Sequence, residues 1–306
     1  MKNKMFRRIA ISAIIAVKVL VVIFILISAS SGSDNIVEID TKPAYGSVTI
    51  PDNVSFAGEQ IPLNSFYVKE ALDRELLSNA YFHSQTIRLL KLAPRYFSII
   101  EPILKEKGIP DDFKYLAVAE SSFNPRAVSS SNAVGMWQFL RATALQYGLI
   151  INNEVDERYN VKKSTYAACD YLLNSYQRFG NWAMVAASYN AGLTGVNRQV
   201  ERQKVDSYYD LLFGEETSRY VYRIIALKLI MENPAEYNFI VADEEKYPII
   251  NTREVEITSS ITNFANFAIE QGVNYKILKD FNPWLRENTL SISGSRKYVI
   301  EIPLLP

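Results

Sequence analysis

Between residues 64 and 235 the apolar residues recur mainly at intervals of three and four. This spacing collects them on one side of a helix, so the region can bury them by packing helices together. After residue 237 two segments with alternating apolar residues, Arg253–Ile257 and Lys297–Ile302, enclose two helical segments, Ile261–Gln271 and Asn274–Phe281. The sequence therefore predicts a mainly α protein, an all-helical domain followed by a small α+β module of βααβ order.

Three helices are predicted before residue 110. Leu72, Leu76 and Ala80 lie on one face of the first. The second is predicted to end at Pro94 and the third to end before Gly108, because proline removes a backbone donor and glycine is common just past a helix end.

The first 33 residues are predicted to direct the chain out of the cytoplasm. Basic residues at positions 2 to 8 precede an apolar stretch, Ile9–Ala29, that only Lys18 interrupts. This order is typical of a signal peptide or an N-terminal membrane anchor, and the pattern leaves both open. We therefore expect an exported protein of the periplasm or cell envelope.

Charge and two scarce residue types exclude several kinds of function. The 33 Lys and Arg residues balance 33 Asp and Glu residues, so no basic excess points to nucleic acid. One cysteine, Cys169, and one histidine, His83, allow neither an intrachain disulfide nor a multi-histidine metal site. We therefore expect no metal or cofactor, and any proton transfer is expected to use carboxylates.

Glu120 occupies a position where a carboxyl group is unusual. It follows Phe113, Leu116 and Ala117 at helical spacing, which places it on the apolar side of its helix. Burial disfavours the ionised form of a carboxyl and raises its pKa, as a general acid at neutral pH requires. The spacing alone leaves open a structural role, in which Glu120 caps the helix end or pairs with an arginine.

Four ordered segments carry a family resemblance. They are Glu120-Ser121-Ser122-Phe123-Asn124-Pro125, Gly135-Met136-Trp137-Gln138, Ala187-Ser188-Tyr189-Asn190-Ala191-Gly192 and Glu216-Thr217-Ser218-Arg219-Tyr220-Val221. In these segments the chain resembles the soluble-type lytic transglycosylases, which cleave bacterial peptidoglycan, and it is most similar to their membrane-bound D branch. The resemblance extends from about Phe56 to Phe239 and implies a lysozyme-like helical domain.

The resemblance implies a role for eight residues. Glu120 is implied to be the catalytic acid and base, Ser121 to orient Glu120 or the substrate, and Tyr220 to form a hydrogen bond near Glu120. The other substrate-binding residues are implied to be Gly135, Met136, Gln138, Tyr189 and Asn190. The first three of these are expected to line the sugar groove and the last two to contact the reacting sugar.

The reaction that the resemblance implies needs one carboxylate. Glu120 protonates the glycosidic oxygen between N-acetylmuramic acid and N-acetylglucosamine, and the 2-acetamido group of the substrate stabilises the cation. Ionised Glu120 then takes the proton of the C6 hydroxyl, which closes a 1,6-anhydro ring.

Ordinary glycosidases use two carboxyl groups. The other candidates near the motifs are Glu154, Asp156, Glu157 and Asp170. Asp156 is interpreted as part of a loop clamp with Arg158. Two alternative functions remain open, a hydrolytic muramidase on the same fold and a non-catalytic peptidoglycan-binding protein.

The C-terminal segment, from Ile261 to Pro303, resembles a divergent LysM-type glycan-binding module, chiefly in Asn282-Pro283 and in Tyr298–Pro303. This resemblance implies that the segment binds glycan. The alternative is that the segment is a structural cap on the helical domain. The predicted divisions are a signal peptide or anchor (1–33), a linker with a helical extension (34–95), the lysozyme-like transglycosylase domain (96–240) and the LysM-like module (241–306). The expected partner is the glycan strand of peptidoglycan, with membrane contact only through the N-terminal segment.

Overall fold

A computed structural model of the chain describes residues 46–304. The predicted signal peptide or anchor falls on residues 1–33 and lies outside this range, as does the beginning of the predicted linker. Within residues 46–304 no helix is both long enough and apolar enough to cross a lipid bilayer.

Eight helices form the larger part of the described chain. They are α1 (Phe66–Ala80), α2 (His83–Glu106), α3 (Lys114–Ser121), α4 (Arg141–Gln146), α5 (Val161–Phe179), α6 (Trp182–Ala191), α7 (Leu193–Gln203) and α8 (Glu215–Glu232). Short 3-10 helices occur at Asp111–Phe113, Glu157–Tyr159, Tyr208–Asp210, Pro234–Tyr237 and Asp243–Glu245. A two-stranded antiparallel ribbon, β1 (Ser55–Phe56) with β2 (Glu59–Gln60), precedes α1.

Helix α6 lies at the centre of this region. Its residues from Ala183 to Ser188 are all buried, so neighbouring helices cover it on every side. It packs against α5, α7 and α8. Tyr189 and Asn190 follow at its C-terminal end, where the helix comes out of the core.

Helix α2 is one continuous helix that contains both Pro94 and Pro102. The prediction of two helices separated at Pro94 is therefore wrong. An internal proline costs about 3 kcal/mol, whereas burying one aliphatic side chain stabilises by about 1.5–3 kcal/mol. Leu89, Leu92 and Ile103 are all buried along α2, on both sides of Pro94, so burial outweighs the loss. The helix also runs through residues 95 and 96, where the helical domain is predicted to begin.

The C-terminal module has the predicted order of elements. It consists of β3 (Thr252–Ile257), α9 (Phe264–Glu270), α10 (Tyr275–Phe281) and β4 (Tyr298–Pro303). Strands β3 and β4 pair antiparallel, with Thr252 opposite Pro303 and Ile257 opposite Tyr298. The fold class, a mainly α protein with a small α+β module, is therefore confirmed.

The module shares a hydrophobic core with the helical region. Val134, Val155 and Tyr159 are buried in one cluster with residues of the module. The backbone pairs as well, because the Arg286 N–H donates to the carbonyl of Glu154 at 2.7 Å. The module therefore packs directly on the loop that precedes α5.

Candidate active site

Helix α3 presents Glu120 in its last turn. Its Leu116 and Ala117 are fully buried, which anchors the helix in the core. Ser122 and Phe123 then adopt left-handed φ angles of 52° and 59°, a conformation that costs a non-glycine residue about 1–2 kcal/mol. The buried ring of Phe123 helps to hold this turn, since it packs on the ring of Phe97 at 5.3 Å. The chain therefore turns sharply directly after Glu120.

The carboxyl group of Glu120 lies in a partly desolvated environment. Its Oε1 accepts a hydrogen bond from the hydroxyl of Tyr220 on α8. Burial raises the pKa of Glu120 to about 7, the negative charge of Glu216 acts in the same direction, and the Tyr220 hydrogen bond and the charge of Arg223 oppose both. Glu120 therefore exists in both protonation states near neutral pH, as its place on the apolar stripe predicts.

Two tyrosines face this carboxyl from neighbouring helices. The charge of Glu120 acts on Tyr189 as well as on Tyr220. Burial raises the pKa of both phenols well above the usual value, so both remain protonated hydrogen-bond donors. The Tyr189 hydroxyl donates to the carbonyl of Trp137 at 2.8 Å, and its ring packs on that of Tyr171 at 5.1 Å.

Asn190 connects the end of α6 to the beginning of α8. Its Oδ1 accepts a hydrogen bond from the hydroxyl of Thr217 at 2.7 Å. The structure therefore brings together Glu120, Tyr189, Asn190 and Tyr220 from three helices that lie far apart in the sequence.

Gln138 lies on the loop between α3 and α4. It adopts a left-handed φ of 48°, and its Nε2 donates to the carbonyl of Gly135 at 2.9 Å and to that of Ala127 at 3.3 Å. It is partly exposed, and the adjacent Trp137 is fully buried and donates to the hydroxyl of Thr165. Gln138 is therefore held by its own loop rather than by the residues around Glu120.

Ser121 and Met136 are buried next to each other. The Ser121 hydroxyl is buried and donates to the carbonyl of Ala117 at 3.1 Å, with the sulfur of Met136 at 3.2 Å. Met136 itself is fully buried. Ser121 lies one turn after the fully buried Ala117, so its side chain points towards the core, in a different direction from that of Glu120. Both residues therefore lie behind the site and support it.

Gly135 is required by a close backbone approach. Its φ is +85°, and a Cβ atom at this position would lie 1.9 Å from the carbonyl oxygen of Arg158. The resemblance implies that Gly135 lines the sugar groove. The structure shows that the neighbour is the protein backbone, and Gly135 is buried.

Arg158 holds the loop that carries Gly135 and Gln138. Its guanidinium pairs with the carboxylate of Asp156 at 2.7 Å and donates to the carbonyls of Asn132 and Phe139, each at 3.2 Å. The predicted loop clamp between Asp156 and Arg158 is confirmed.

The other candidate carboxylates are engaged elsewhere. Glu154 accepts hydrogen bonds from Thr289 and Ser291 of the module, and Asp170 pairs with Lys107 at 2.8 Å. Asp156 pairs with Arg158, and Glu157 accepts the N–H of Ile150 and pairs with Lys163. None of these contacts involves Glu120. Within residues 46–304 no group of three or more His, Cys, Asp or Glu side chains is placed to hold a metal ion.

Sequence reasoning missed Glu75 on α1. Its side chain is buried, accepts a hydrogen bond from Arg219 at 2.5 Å and forms an ion pair with Arg223 at 3.6 Å. Both arginines lie on α8, on either side of Tyr220. A signal was present, because Glu75 lies between Leu72 and Leu76 on the apolar stripe of α1. Glu75 therefore links α1 to the helix that supplies Tyr220.

Two family models match the chain. Residues 97–211 match the Transglycosylase SLT domain, and residues 253–305 match the Soluble lytic transglycosylase C-terminal LysM-like domain. The first range includes Glu120 and Tyr189 and ends before α8. These matches confirm both resemblances.

Curated proteins of two kinds are similar to the chain. The membrane-bound lytic murein transglycosylase D of Escherichia coli strain K12 is 28% identical over 255 residues, which cover 80% of this chain and 55% of that protein. A putative tributyltin chloride resistance protein of Alteromonas sp. strain M-1 is 30% identical over 113 residues, 37% of this chain and 55% of that protein. The matched region thus spans about half the length of these relatives.

Solved structures of two lytic transglycosylases also align with the chain. An inactive mutant of the enzyme Slt from Pseudomonas aeruginosa has a TM-score of 0.39 and 20% identity, covering 52% of this chain and 28% of that one. The 70 kDa soluble lytic transglycosylase from Escherichia coli has a TM-score of 0.40 and 23% identity, covering 46% and 24%.

Proposed function

Because the chain contains a transglycosylase SLT domain and a C-terminal LysM-like domain, we propose that it is a lytic transglycosylase of peptidoglycan. The observation that carries the proposal is the state of the Glu120 carboxyl. Its pKa is raised to about 7, and its Oε1 accepts a hydrogen bond from the hydroxyl of Tyr220. A group with this pKa can donate and then accept a proton at neutral pH.

The reaction uses Glu120 twice. Protonated Glu120 gives its proton to the glycosidic oxygen between N-acetylmuramic acid and N-acetylglucosamine, and the bond from that oxygen to the anomeric carbon breaks. The 2-acetamido group stabilises the positive charge on the anomeric carbon. The C6 oxygen then bonds to that carbon while its proton passes to ionised Glu120, so the acid is restored and no water is consumed.

The neighbouring side chains have supporting roles in this reaction. Tyr220 holds the carboxyl in place by its hydrogen bond, and it stabilises the ionised form that arises after the first proton transfer. Tyr189, Asn190 and Gln138 bind the sugar, since all three are partly exposed. Ser121, Gly135 and Met136 do not contact the sugar. They pack in the interior and fix the end of α3 and the loop between α3 and α4.

The site of action is the cell envelope. Peptidoglycan lies outside the cytoplasmic membrane, and residues 1–33 have the charge and apolar order of an export signal or anchor. The name of the Escherichia coli relative includes the words membrane-bound, which favours retention of this segment as an anchor. The module binds glycan strands and at the same time covers the loop around Val155.

Cleavage of purified peptidoglycan by the wild type and by Glu120→Gln tests the proposal. We expect the wild-type protein to release soluble fragments. The rate of release by Glu120→Gln should be at least 100-fold lower, because general acid–base catalysis contributes about 10²–10⁴-fold to the rate. Asp170→Asn is the matched control, since Asp170 is a candidate carboxylate that pairs with Lys107 on the surface. Equal rates for wild type and Glu120→Gln, with both folded, contradict the assignment.

The hydrolytic muramidase is the second candidate, and one observation favours it. Glu216 is a second carboxylate within electrostatic range of Glu120. A hydrolase of the inverting kind places a water between two carboxyl groups about 6.5–9.5 Å apart. Glu216, however, is ion-paired with Arg223 at 3.0 Å, and 65% of its side chain is exposed. This pairing favours the single-acid reaction.

A further inference from the structure

Thr217 is a buried polar residue of the segment Glu216–Val221 and has no role in the reaction proposed above. It lies in the first turn of α8, and 9% of it is exposed. Its hydroxyl donates to Oδ1 of Asn190 at 2.7 Å. Among residues 46–304 neither of these two side chains makes another hydrogen bond. The contact therefore joins Thr217 to a residue that is proposed to bind the sugar.

This hydrogen bond fixes the direction of the Asn190 amide. An asparagine side chain has an acceptor oxygen on one side and two N–H donors on the other. A threonine hydroxyl has one proton to donate, and a buried donor needs an acceptor. If the amide were turned over, Nδ2 would lie against the Thr217 oxygen and the hydroxyl proton would lose Oδ1. The orientation with Oδ1 towards Thr217 is therefore the one that satisfies this proton.

The other side of the amide is open to a ligand. Asn190 is partly exposed, and no atom of residues 46–304 accepts a hydrogen bond from its Nδ2. Its Oδ1 lies on the side of Thr217, so the side that faces away from Thr217 carries the N–H groups. Asn190 therefore presents hydrogen-bond donors to a bound molecule.

The backbone on both sides of this contact is held in place. The hydroxyl of the buried Tyr208 donates to the carbonyls of Thr217 at 3.0 Å and Ser218 at 2.7 Å, which fixes the first turn of α8. On α6, Tyr189 directly precedes Asn190 and donates to a backbone carbonyl at 2.8 Å. The Thr217 hydrogen bond therefore fixes the Asn190 amide between two anchored helix ends.

Thr217 and Tyr220 lie three residues apart, on the same side of α8. Tyr220 forms the hydrogen bond to the carboxyl of Glu120, and Thr217 forms the hydrogen bond to the amide of Asn190. One side of α8 thus contacts both the proposed acid and a proposed sugar-binding side chain.

We propose that Thr217 is a positioning residue of the active site, which turns Asn190 so that its amide nitrogen, and not its oxygen, meets the reacting sugar. The inference rests on the proposed function for its substrate. The group that Asn190 recognises is then an acceptor oxygen of the sugar. An asparagine without this contact can present either side of its amide, and its oxygen would need a donor from the sugar instead. Thr217 acts through Asn190 and does not touch the substrate.

Calorimetric titration of the full chain with the tetrasaccharide of N-acetylglucosamine tests this role. Every protein carries Glu120→Gln, so that the glycan is not cleaved during the titration. The part of the binding that Asn190→Ala removes belongs to the active site, whatever glycan the C-terminal module binds. We expect Thr217→Val to weaken this part about two- to tenfold, because a neutral hydrogen bond contributes about this factor to an equilibrium constant. Thr217→Ser keeps the hydroxyl and should bind as the parent protein does.

Asn190→Asp tests the direction of the amide independently of Thr217→Val. A carboxylate keeps the acceptor for Thr217 but has no N–H donor, so we expect it to lose the active-site part of the binding as Asn190→Ala does. Adding Thr217→Val to Asn190→Ala should weaken the remaining binding no further, because Thr217 acts through Asn190.

Thr86→Val is the matched control. Thr86 is also a buried threonine near the beginning of a helix, and its hydroxyl donates to the backbone carbonyl of Asn79 at 2.7 Å. Because this hydrogen bond does not involve Asn190, Thr86→Val should leave the affinity for the tetrasaccharide unchanged.

Four results would overturn the proposal. They are the absence of any binding that depends on Asn190, equal affinities of Thr217→Val and the parent, parent-like affinity of Asn190→Asp, and further weakening by Thr217→Val in the Asn190→Ala background. The titration involves no bond cleavage, so it separates the two claims. Asn190-dependent binding that Thr217→Val leaves unchanged contradicts the role of Thr217 alone. Thr217-dependent binding by a protein that does not cleave peptidoglycan contradicts the proposed enzyme alone.

Discussion

Glu120 is poised near neutral pH because opposing influences act on one carboxyl. Burial and the charge of Glu216 favour the protonated form, while Tyr220 and Arg223 favour the ionised form. The proposed reaction needs both forms in turn. The position of this balance is therefore open to change by single substitutions that leave Glu120 in place.

Glu216→Gln should move the pH dependence of cleavage to lower pH. Its charge raises the pKa of Glu120, so removing the charge lowers that pKa. Activity that requires protonated Glu120 declines as the pH rises through this pKa, and the decline should therefore begin below the wild-type midpoint near pH 7. The measurement is the rate of fragment release from pH 4 to pH 9.

Glu215→Gln is the control for this shift. Glu215 precedes Glu216 on α8, but its partner is Arg74, and it is not among the charges that act on Glu120. A shift of the same size in both variants, or a shift of Glu216→Gln to higher pH, contradicts the assignment.

Glu120→Gln should stabilise the fold at alkaline pH. The folded pKa of about 7 lies above the ordinary glutamate pKa of 4.5, so the stabilising contribution of Glu120 is complete below about pH 4.5 and is lost as the pH rises through 7. This loss reaches at most about 3 kcal/mol at pH 8. Urea unfolding should show a larger gain for Glu120→Gln at pH 8 than at pH 5, and an equal gain at both values contradicts a raised pKa.

At the scale of elements, the loop between α3 and α4 depends on close packing between Gly135 and the backbone of Arg158. Gly135→Ala should destabilise the protein more than Gly148→Ala. Both glycines have positive φ, but a Cβ at Gly135 meets the Arg158 carbonyl and one at Gly148 meets nothing within 4 Å. We expect about 1–2 kcal/mol for Gly148→Ala and a further 1–3 kcal/mol for Gly135→Ala. Equal denaturant midpoints for the two variants would show that the loop accommodates a Cβ at position 135 without loss of stability, and would contradict the prediction.

The position of helix α8 depends on the contacts of its Arg219 and Arg223 with Glu75 of α1. Glu75→Gln should destabilise the protein by about 2 kcal/mol, below the 3–5 kcal/mol of a fully buried pair, because 28% of Arg219 and 25% of Arg223 are exposed. Cleavage should fall as well, since Tyr220 lies between these arginines on α8. The exposed Glu70 of α1 provides the control, and Glu70→Gln should change stability by less than about 0.5 kcal/mol. A loss of equal size in both variants contradicts the role of Glu75.

Sequence patterns predict elements better than they predict where side chains point. The order of the C-terminal module and the apolar place of Glu120 follow from spacing. The continuity of α2 through Pro94 does not, because it depends on burial along both halves of the helix. Ser121 and Gly135 show the same limit. Their motif positions are conspicuous, but whether they face the substrate or the core depends on the turn after α3 and on the backbone of Arg158.

At the scale of the whole molecule, the module and the helical region share one surface of contact. The Asp156 N–H donates to the carbonyl of Trp284 at 2.9 Å, next to the clamp that holds the Gln138 loop. The same surface of contact borders a cavity of about 900 Å³ along α2. A module in this position is therefore placed to act on the proposed reaction through the loop, in addition to any glycan that it binds.

The mass of the glycan ends released from purified peptidoglycan tests the central claim most directly. If Glu120 returns its proton through the C6 hydroxyl, each cleavage leaves a 1,6-anhydro end that is one water lighter than a reducing end. We predict that wild-type protein produces these anhydro ends and that Glu120→Gln produces none. Ordinary reducing ends from the wild type would show that water attacks instead, with Glu216 as a candidate base, and would contradict the single-acid reaction.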